Sequence, residues 1–292
     1  MILVTGGSGF IGRRLVARLA DAGKPLRVLA RGRRQAELPA SVEAASGDVV
    51  SGDGLAEAMS GVERVVHLVA IIRETGSQTF EGVIRRGTER LLEAAKVEGV
   101  SKIVYVSAIG AQDNAHYPYL QAKWAAERSV TLSSLNHTIL RPSIVFGEGD
   151  EFISALAGLV RWNPIVPVAG DGKAKFQPIW VEDLVTCIVA CLDDDAHNGE
   201  VIEVGGPEHL TYDEMLDLVK SALGRSRLKA HVPLALMKPM AQMMEWVLPK
   251  PPVTGEQLKM LALDNTTEVD SVMKTFGVQP RRLADCLDYI KR

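Results

Sequence analysis

The chain has 292 residues, 47% of them hydrophobic, enough to bury a large core as one big domain or as a domain with a lobe. Its 33 Lys and Arg against 36 Asp and Glu leave a formal charge of −3, so there is no basic excess to recruit nucleic acid. No apolar run approaches the roughly 20 residues of a spanning helix, and Met1 leads directly into a strand-like run without the basic start of a secretory signal; a soluble, cytoplasmic protein is expected.

Apolar runs alternate with helix-period segments along the chain. MILVT (1–5), PLRVLA (25–30), VEAAS (42–46), RVVHLVA (64–70), KIVYVSA (102–108) and HTILRPS (137–143) read as buried strands, too short for helices and rich in Val, Ile and Leu. Between them, 10–22 places Phe10, Ile11, Leu15 and Leu19 on one face, and 80–98 does the same with Phe80, Val83, Ile84, Gly87 and Leu91. Strand and helix in repetition predict an α/β, doubly wound parallel sheet. After Gly147 prolines and turn glycines take over, which predicts a smaller C-terminal substrate lobe over 148–175 and 207–292. The first domain then covers 1–147 and is completed by about 176–206, where EVIEVGG (200–206) returns a strand to the sheet.

Three cysteines cannot all pair. Cys187 and Cys191 lie four apart on an expected helix, and Cys286 sits far along the chain. No His or further Cys is near in sequence to complete a metal site, so no metal is expected and the three read as reduced core cysteines.

The opening TGGSGFIG places Gly6, Gly9 and Gly12 after a strand and at the start of a helix. Glycine there permits a tight turn, close approach of a pyrophosphate to the backbone, and tight packing of helix on strand. Phe10 and Ile11 contribute free N–H groups of the first helical turn, where the dipole favours an anion. The second strand bears on which dinucleotide. An NAD site places Asp or Glu about 20 residues on, to hold the ribose 2′-hydroxyl; here Ala30 and Arg31 stand in that place. Arg31, Arg33 and Arg34 would attract a 2′-phosphate, so NADP(H) is preferred and NAD(H) remains open, beside the plainer reading of a solvated basic loop. Asp48 and Val49 follow the third strand, where Asp48 can meet the adenine amine; Leu68, Val69 and Ala70 line the pocket after the fourth. His67 reads as a satisfied core histidine.

A second pattern is YLQAK at 119–123. On a helix starting near Pro118, Tyr119 and Lys123 share one face. A phenol is a poor acid–base at neutral pH, and an adjacent ammonium stabilises its anion and can hold the ribose hydroxyls.

With these motifs in place, the sequence resembles a short-chain dehydrogenase/reductase of the extended or atypical kind. TGGSGFIG matches the family's TGxxGxxG, YLQAK its YxxxK, and RPSIVFG (141–147) its Arg-Pro element. The resemblance implies a Rossmann sheet, a nicotinamide bordered by Pro142, Ser143 and Ile144, and a supporting role for Ser107 at the end of the fifth strand. The stretch from Phe146 to Leu184 is further similar to the NADPH-binding accessory subunits of respiratory complex I and their free-standing bacterial relatives, which implies a tightly held NADPH and a protein that need not turn over. Two positions depart from the family. Ile109 stands where a Ser or Thr orients the carbonyl, and Ile84 where an Asn sets the proton relay; Gln112, Asn114 and His116 are the polar residues nearby.

The expected function is thus an NADP(H)-dependent oxidoreductase or epimerase-like enzyme on an unidentified carbonyl or hydroxyl substrate. From another class comes a non-catalytic NADPH-binding structural, assembly or redox-sensing protein. The Met-rich segment 233–248 reads as a substrate lid or lobe core, with contact to a membrane surface or a respiratory complex as the alternative.

Overall fold

The computed structural model describes residues 1–32, 38–233, 235, 237 and 255–291. The chain divides into two compact units, one of Met1–Arg141 with Val185–Glu203, the other of Pro142–Leu184 with Val204–Arg292.

The first unit is built on β1 (Ile2–Thr5), β2 (Leu26–Ala30), β3 (Glu43–Ser46), β4 (Arg64–His67), β5 (Lys102–Val106) and β6 (Asn136–Pro142), with β11 (Val201–Val204) beside β6. The order is β11-β6-β5-β4-β1-β2-β3, and β3 through β6 run parallel. Leu3, Val4, Val28, Val65, Val66, Ile103 and Val104 are buried between helices on both faces, which is why these strands lack the polar alternation of a one-sided sheet. The returning strand expected at 200–206 is β11. Two strands are shorter than expected, ending at His67 and Val106. Beyond them the chain turns off the ladder, and Leu68 and Ser107 keep one bond each, to the carbonyls of Thr5 and Leu140. Because the order reverses at β1, the carboxyl ends of β1 and β4 flank a crevice.

Helix α1 (Phe10–Asp21) follows β1 and buries Gly12, Leu15, Val16 and Leu19; Phe10 and Ile11 are only half-buried. Helix α2 (Leu55–Met59) precedes β4. The expected helix 80–98 is a π-helical turn at Glu81–Arg86 that runs into α3 (Gly87–Val97), with Phe80, Val83, Ile84, Gly87 and Leu91 inward as the periodicity predicts. Helix α4 (Pro118–Leu132) starts with proline at its first position, where no N–H is needed.

In the second unit β7 (Val145–Phe146) pairs with β10 (Ile179–Trp180), β8 (Ile165–Ala169) with β13 (Leu228–Val232), and β9 (Lys175–Phe176) with β12 (Leu210–Thr211). Residues 142–147 fall here. Helices α5 (Phe152–Trp162) and α7 (Tyr212–Ala222) pack Ile153, Leu156, Val160, Met215, Leu216 and Val219 into a core with Phe146 and Phe176. Thr211 and Glu214 form a reciprocal capping box on α7. Helix α6 (Val181–Asp193) begins in the second unit and from Val185 belongs to the first, within which its C-terminal end meets two cations: Arg64 donates to Leu192 O at 2.6 Å and Lys102 to Asp194 O at 2.6 Å.

Candidate nucleotide and acid–base site

The glycine loop joins β1 to α1 through contacts that leave no room for side chains. A Cβ on Gly12 would lie 2.1 Å from the Gly6 carbonyl oxygen, and one on Gly7 would lie 2.7 Å from Val28 Cγ1. Gly6 has φ +76°, and its Cα faces the backbone of Leu68 and Val69, where a Cβ would meet atoms at 3.1 Å. Gly9 caps α1 without a side chain, and the first turn of the helix carries no acid. The N–H groups of that turn therefore point from a cradle of bare backbone, with the positive end of the helix dipole behind them. This is a fit for a dinucleotide pyrophosphate. Gly7 was not among the expected site residues; its signal is the glycine pair itself, but the neighbour that demands it lies on β2.

Arg31 follows β2 with its side chain about half exposed, and Nη1 lies 3.4 Å from Asp48 Oδ2. Asp48 in turn accepts the Val50 N–H at 2.8 Å through Oδ1. The structure thus brings Arg31 and Asp48 together at the end of the sheet, while Arg33 and Arg34 lie outside the described residues. Val49, expected at the cofactor, has its side chain in the core against Gly87. Leu68 and Val69 are half-buried and Ala70 is exposed, beside the glycine loop.

A buried polar chain underlies the crevice. Thr88 Oγ1 donates to Ile84 O at 2.6 Å and so accepts from His67 Nε2 at 3.1 Å. Nδ1 of His67 is then unprotonated and accepts from Thr5 Oγ1 at 2.6 Å. Burial, with the nearby Lys123 charge, pushes the His67 pKa down to about 3. The imidazole is a neutral tie between β1, β4 and α3, as expected of a core histidine.

Tyr119, Lys123 and Glu127 follow at four-residue spacing on the inward side of α4. Lys123 is buried; its ammonium donates to Val106 O at 2.8 Å and lies 5.2 Å from the centre of the Tyr105 ring. Glu127, also buried, is held by Arg141 through a two-point contact, Nε to Oε1 at 2.9 Å and Nη2 to Oε2 at 2.6 Å. Burial lowers the Lys123 pKa to about 8, and the Glu127 charge opposes that fall. Tyr119 packs edge-on against Phe80, and burial raises its phenol to about 12. Ser107 is buried, and its Oγ has no hydrogen-bond partner among the described residues. Its neighbour in sequence, Val106, is the residue that Lys123 binds. Ile84 and Ile109 are both buried. The Glu127–Arg141 pair was missed: its partners are fourteen residues apart, and no local pattern joins them.

Pro142, Ser143 and Ile144 belong to the second unit. There Ser143 Oγ lies 2.6 Å from Asn265 Oδ1 and accepts the Gln177 N–H at 3.2 Å, so this hydroxyl is committed within its own unit; Ile144 packs on that unit's core. Cys187 and Cys191 are buried, and Cys286 is partly exposed; burial raises the Cys191 thiol to about 12. No group of three His, Cys, Asp or Glu among the described residues could hold a metal, and no described helix is long and apolar enough to cross a membrane. Most of segment 233–248 lies outside the described residues. A concavity of about 500 Å³ lined by Phe80, Glu81, Gln121, Trp124 and Arg128 includes neither the glycine loop nor Tyr119.

A bare-backbone cradle at the switch point of a parallel sheet, opening a helix free of acid in its first turn, defines a dinucleotide-binding α/β protein. Comparison narrows the class. A family model described as NAD(P)H-binding matches residues 6–152. The mitochondrial NADH dehydrogenase [ubiquinone] 1 alpha subcomplex subunit 9 of Arabidopsis thaliana is 30% identical over 270 residues, 89% of this chain and 67% of the relative. A 3 beta-hydroxysteroid dehydrogenase/Delta 5→4-isomerase of Mycobacterium tuberculosis is 25% identical over 343 residues, covering 99% and 90%. In fold, the chain matches a nucleoside-diphosphate-sugar epimerase of Staphylococcus aureus at a TM-score of 0.78, 19% identity, and 100% and 99% coverage. The chain belongs to the NAD(P)H-binding Rossmann family of the short-chain dehydrogenase/reductase type.

Proposed function

We propose that the protein is an NADPH-preferring oxidoreductase that acts on a carbonyl or hydroxyl substrate, with Tyr119 as acid–base and the second unit selecting the substrate. The observation that carries this reading is the row of half-buried Tyr119 and buried Lys123 and Glu127 on α4, with Lys123 bound to Val106 O next to the unpartnered hydroxyl of Ser107. Gly6, Gly9 and Gly12 with the N-terminal turn of α1 would hold the pyrophosphate, Arg31 the 2′-phosphate, and Lys123 the ribose; the bound cofactor supplies hydride chemistry. With a phenol near 12, Tyr119 is fully protonated at neutral pH and suited to donate a proton to a carbonyl oxygen. Lys123, near 8, is still charged at that pH and stabilises the phenolate left behind. Ser107 Oγ has a free donor for the same oxygen. Tyr119→Phe should lower turnover by about 10²-fold or more and leave NADPH affinity unchanged. NADPH oxidation over quinones, aldehydes and keto-sugars reads this out, and a rate indifferent to Tyr119→Phe defeats the proposal.

A second reading rests on Ile84 and Ile109, buried apolar side chains where the resemblance implies polar ones. It makes the protein a nucleotide-binding assembly or redox-sensing protein, in line with the name of the Arabidopsis relative. Tyr119→Phe would then be silent in every assay, while Gly12 substitution would still abolish cofactor retention.

A further inference from the structure

The second unit carries an apolar surface for which the nucleotide site has no use. In the ribbon of β8 and β13, Ile165 pairs with Leu228, Pro167 with Ala230 and Ala169 with Val232. Parallel pairing at two-residue spacing puts these six side chains on one face, and every one is apolar. The other face is of a different kind: Val166 and Val168 enter the core, and Lys229 and His231 pair with Asp217 and Asp213. At the end of α5, three residues before Ile165, stands Trp162. Trp162 is 84% exposed, Leu228 72% and Ile165 52%. A tryptophan and two long aliphatics left in water together need a reason, because a folded chain ordinarily hides at least the tryptophan.

Charge indicates what covers them. Lys220 and Lys229 are paired with Asp217, which leaves Arg225 and Arg227 as the cations of the turn between α7 and β13. Arg225 is exposed, and among the described residues neither it nor Arg227 has a carboxylate in reach. Arg227 Nε donates to Val160 O at 3.0 Å, which ties it to the last turn of α5, the turn that ends at Trp162. Cations therefore border the apolar tip. Trp and Leu with Arg at their rim are the composition of a surface that enters a lipid headgroup layer, where indole sits at the interface and cations meet lipid phosphates.

We infer that the apolar face of the β8–β13 ribbon, with Trp162 at its tip and Arg225 and Arg227 at its rim, docks the protein on anionic phospholipid. The assignment is independent of the oxidoreductase reading.

Flotation with protein-free vesicles tests it, using the full chain at physiological salt. Wild type should float with vesicles of phosphatidylglycerol in phosphatidylcholine and stay behind with phosphatidylcholine alone. Trp162→Ser with Leu228→Ser should cut the floating fraction about tenfold or more, and Arg225→Glu should cut it severalfold, since each Lys or Arg at an anionic surface adds attraction. Both changes lie at exposed positions, so NADPH titration and thermal melting of the variants should match wild type. Loss of flotation with those properties intact separates this surface from the nucleotide site. No flotation of wild type on anionic vesicles, or flotation unchanged by the double substitution, overturns the inference. So would a wild-type dimer in sedimentation that the same two substitutions dissolve, because the face would then serve a second copy of the chain.

Discussion

In the proposed reading, cofactor choice turns on Arg31. It stands where a carboxylate would exclude a 2′-phosphate, and Asp48 steadies it from one side while its side chain remains half exposed. A charge-assisted contact of this kind is worth about 1.5–3 kcal/mol. Arg31→Ala should therefore weaken NADPH binding by roughly 10- to 100-fold and leave NADH almost untouched, as fluorescence titration of both cofactors would show. Equal wild-type affinities would refute the preference. His67 governs acid stability in the same local way. Its pKa is near 3 folded against 6.5 unfolded, so the unfolded chain takes up the proton first as pH falls. Stability is full above pH 6.5 and is lost progressively down to about pH 3, by about 5 kcal/mol at most. Urea midpoints across that window should slope downward in wild type. In His67→Gln the baseline should be lower and the slope much shallower.

At the scale of elements, the joint between β1 and α1 leaves no room for a side chain at Gly12. Gly12→Ala would put a methyl carbon into the Gly6 carbonyl, backbone against backbone, so the loop must move and the cradle opens. Cofactor retention should disappear and the melting temperature fall. Gly158 makes the opposite case. It lies within α5, has no left-handed φ, and a Cβ there would meet nothing within 4 Å. Gly158→Ala should stabilise the protein by up to about 1 kcal/mol, since glycine wastes chain entropy in a helix. Urea denaturation of the two variants side by side distinguishes a glycine needed for contact from one that is merely tolerated.

For the molecule as a whole, the proposed NADPH site would link cofactor binding to folding. A ligand that binds only the folded protein adds about 2.7 kcal/mol at 100 times its dissociation constant. Calorimetry with NADPH should show a rise in melting temperature, and Arg31→Ala should shrink that rise at the same concentration. With two compact units, the transition will be a single peak only if both melt together. A rise confined to one of two resolved peaks would assign the stabilised unit directly.

Whatever depends on neighbours in sequence was legible before any coordinates. The run of Val, Ile and Leu strands, the strand–glycine–helix joint at 1–12 and the four-residue spacing of Tyr119 and Lys123 are local patterns, and local geometry reads them out. The doubly wound parallel sheet and the return of a strand at 200–206 followed from the alternation of strands and helices, whereas the strand order, and with it the switch point at β1 and β4, came from the tertiary structure. Other features needed the tertiary structure because their partners are far apart in the chain. Gly7 must be small because Val28 is there. His67 is satisfied because Thr5 and Thr88 flank it. Lys123 is tuned by a carboxylate that Arg141 holds, and its own burial, which no spacing reports, pulls its pKa toward neutrality. Trp162 and Leu228 look like ordinary core residues in the sequence. Only the tertiary structure shows that both are exposed and that Leu228 pairs with Ile165, three residues after Trp162, since burial is a property of what packs on a side chain and not of the side chain itself.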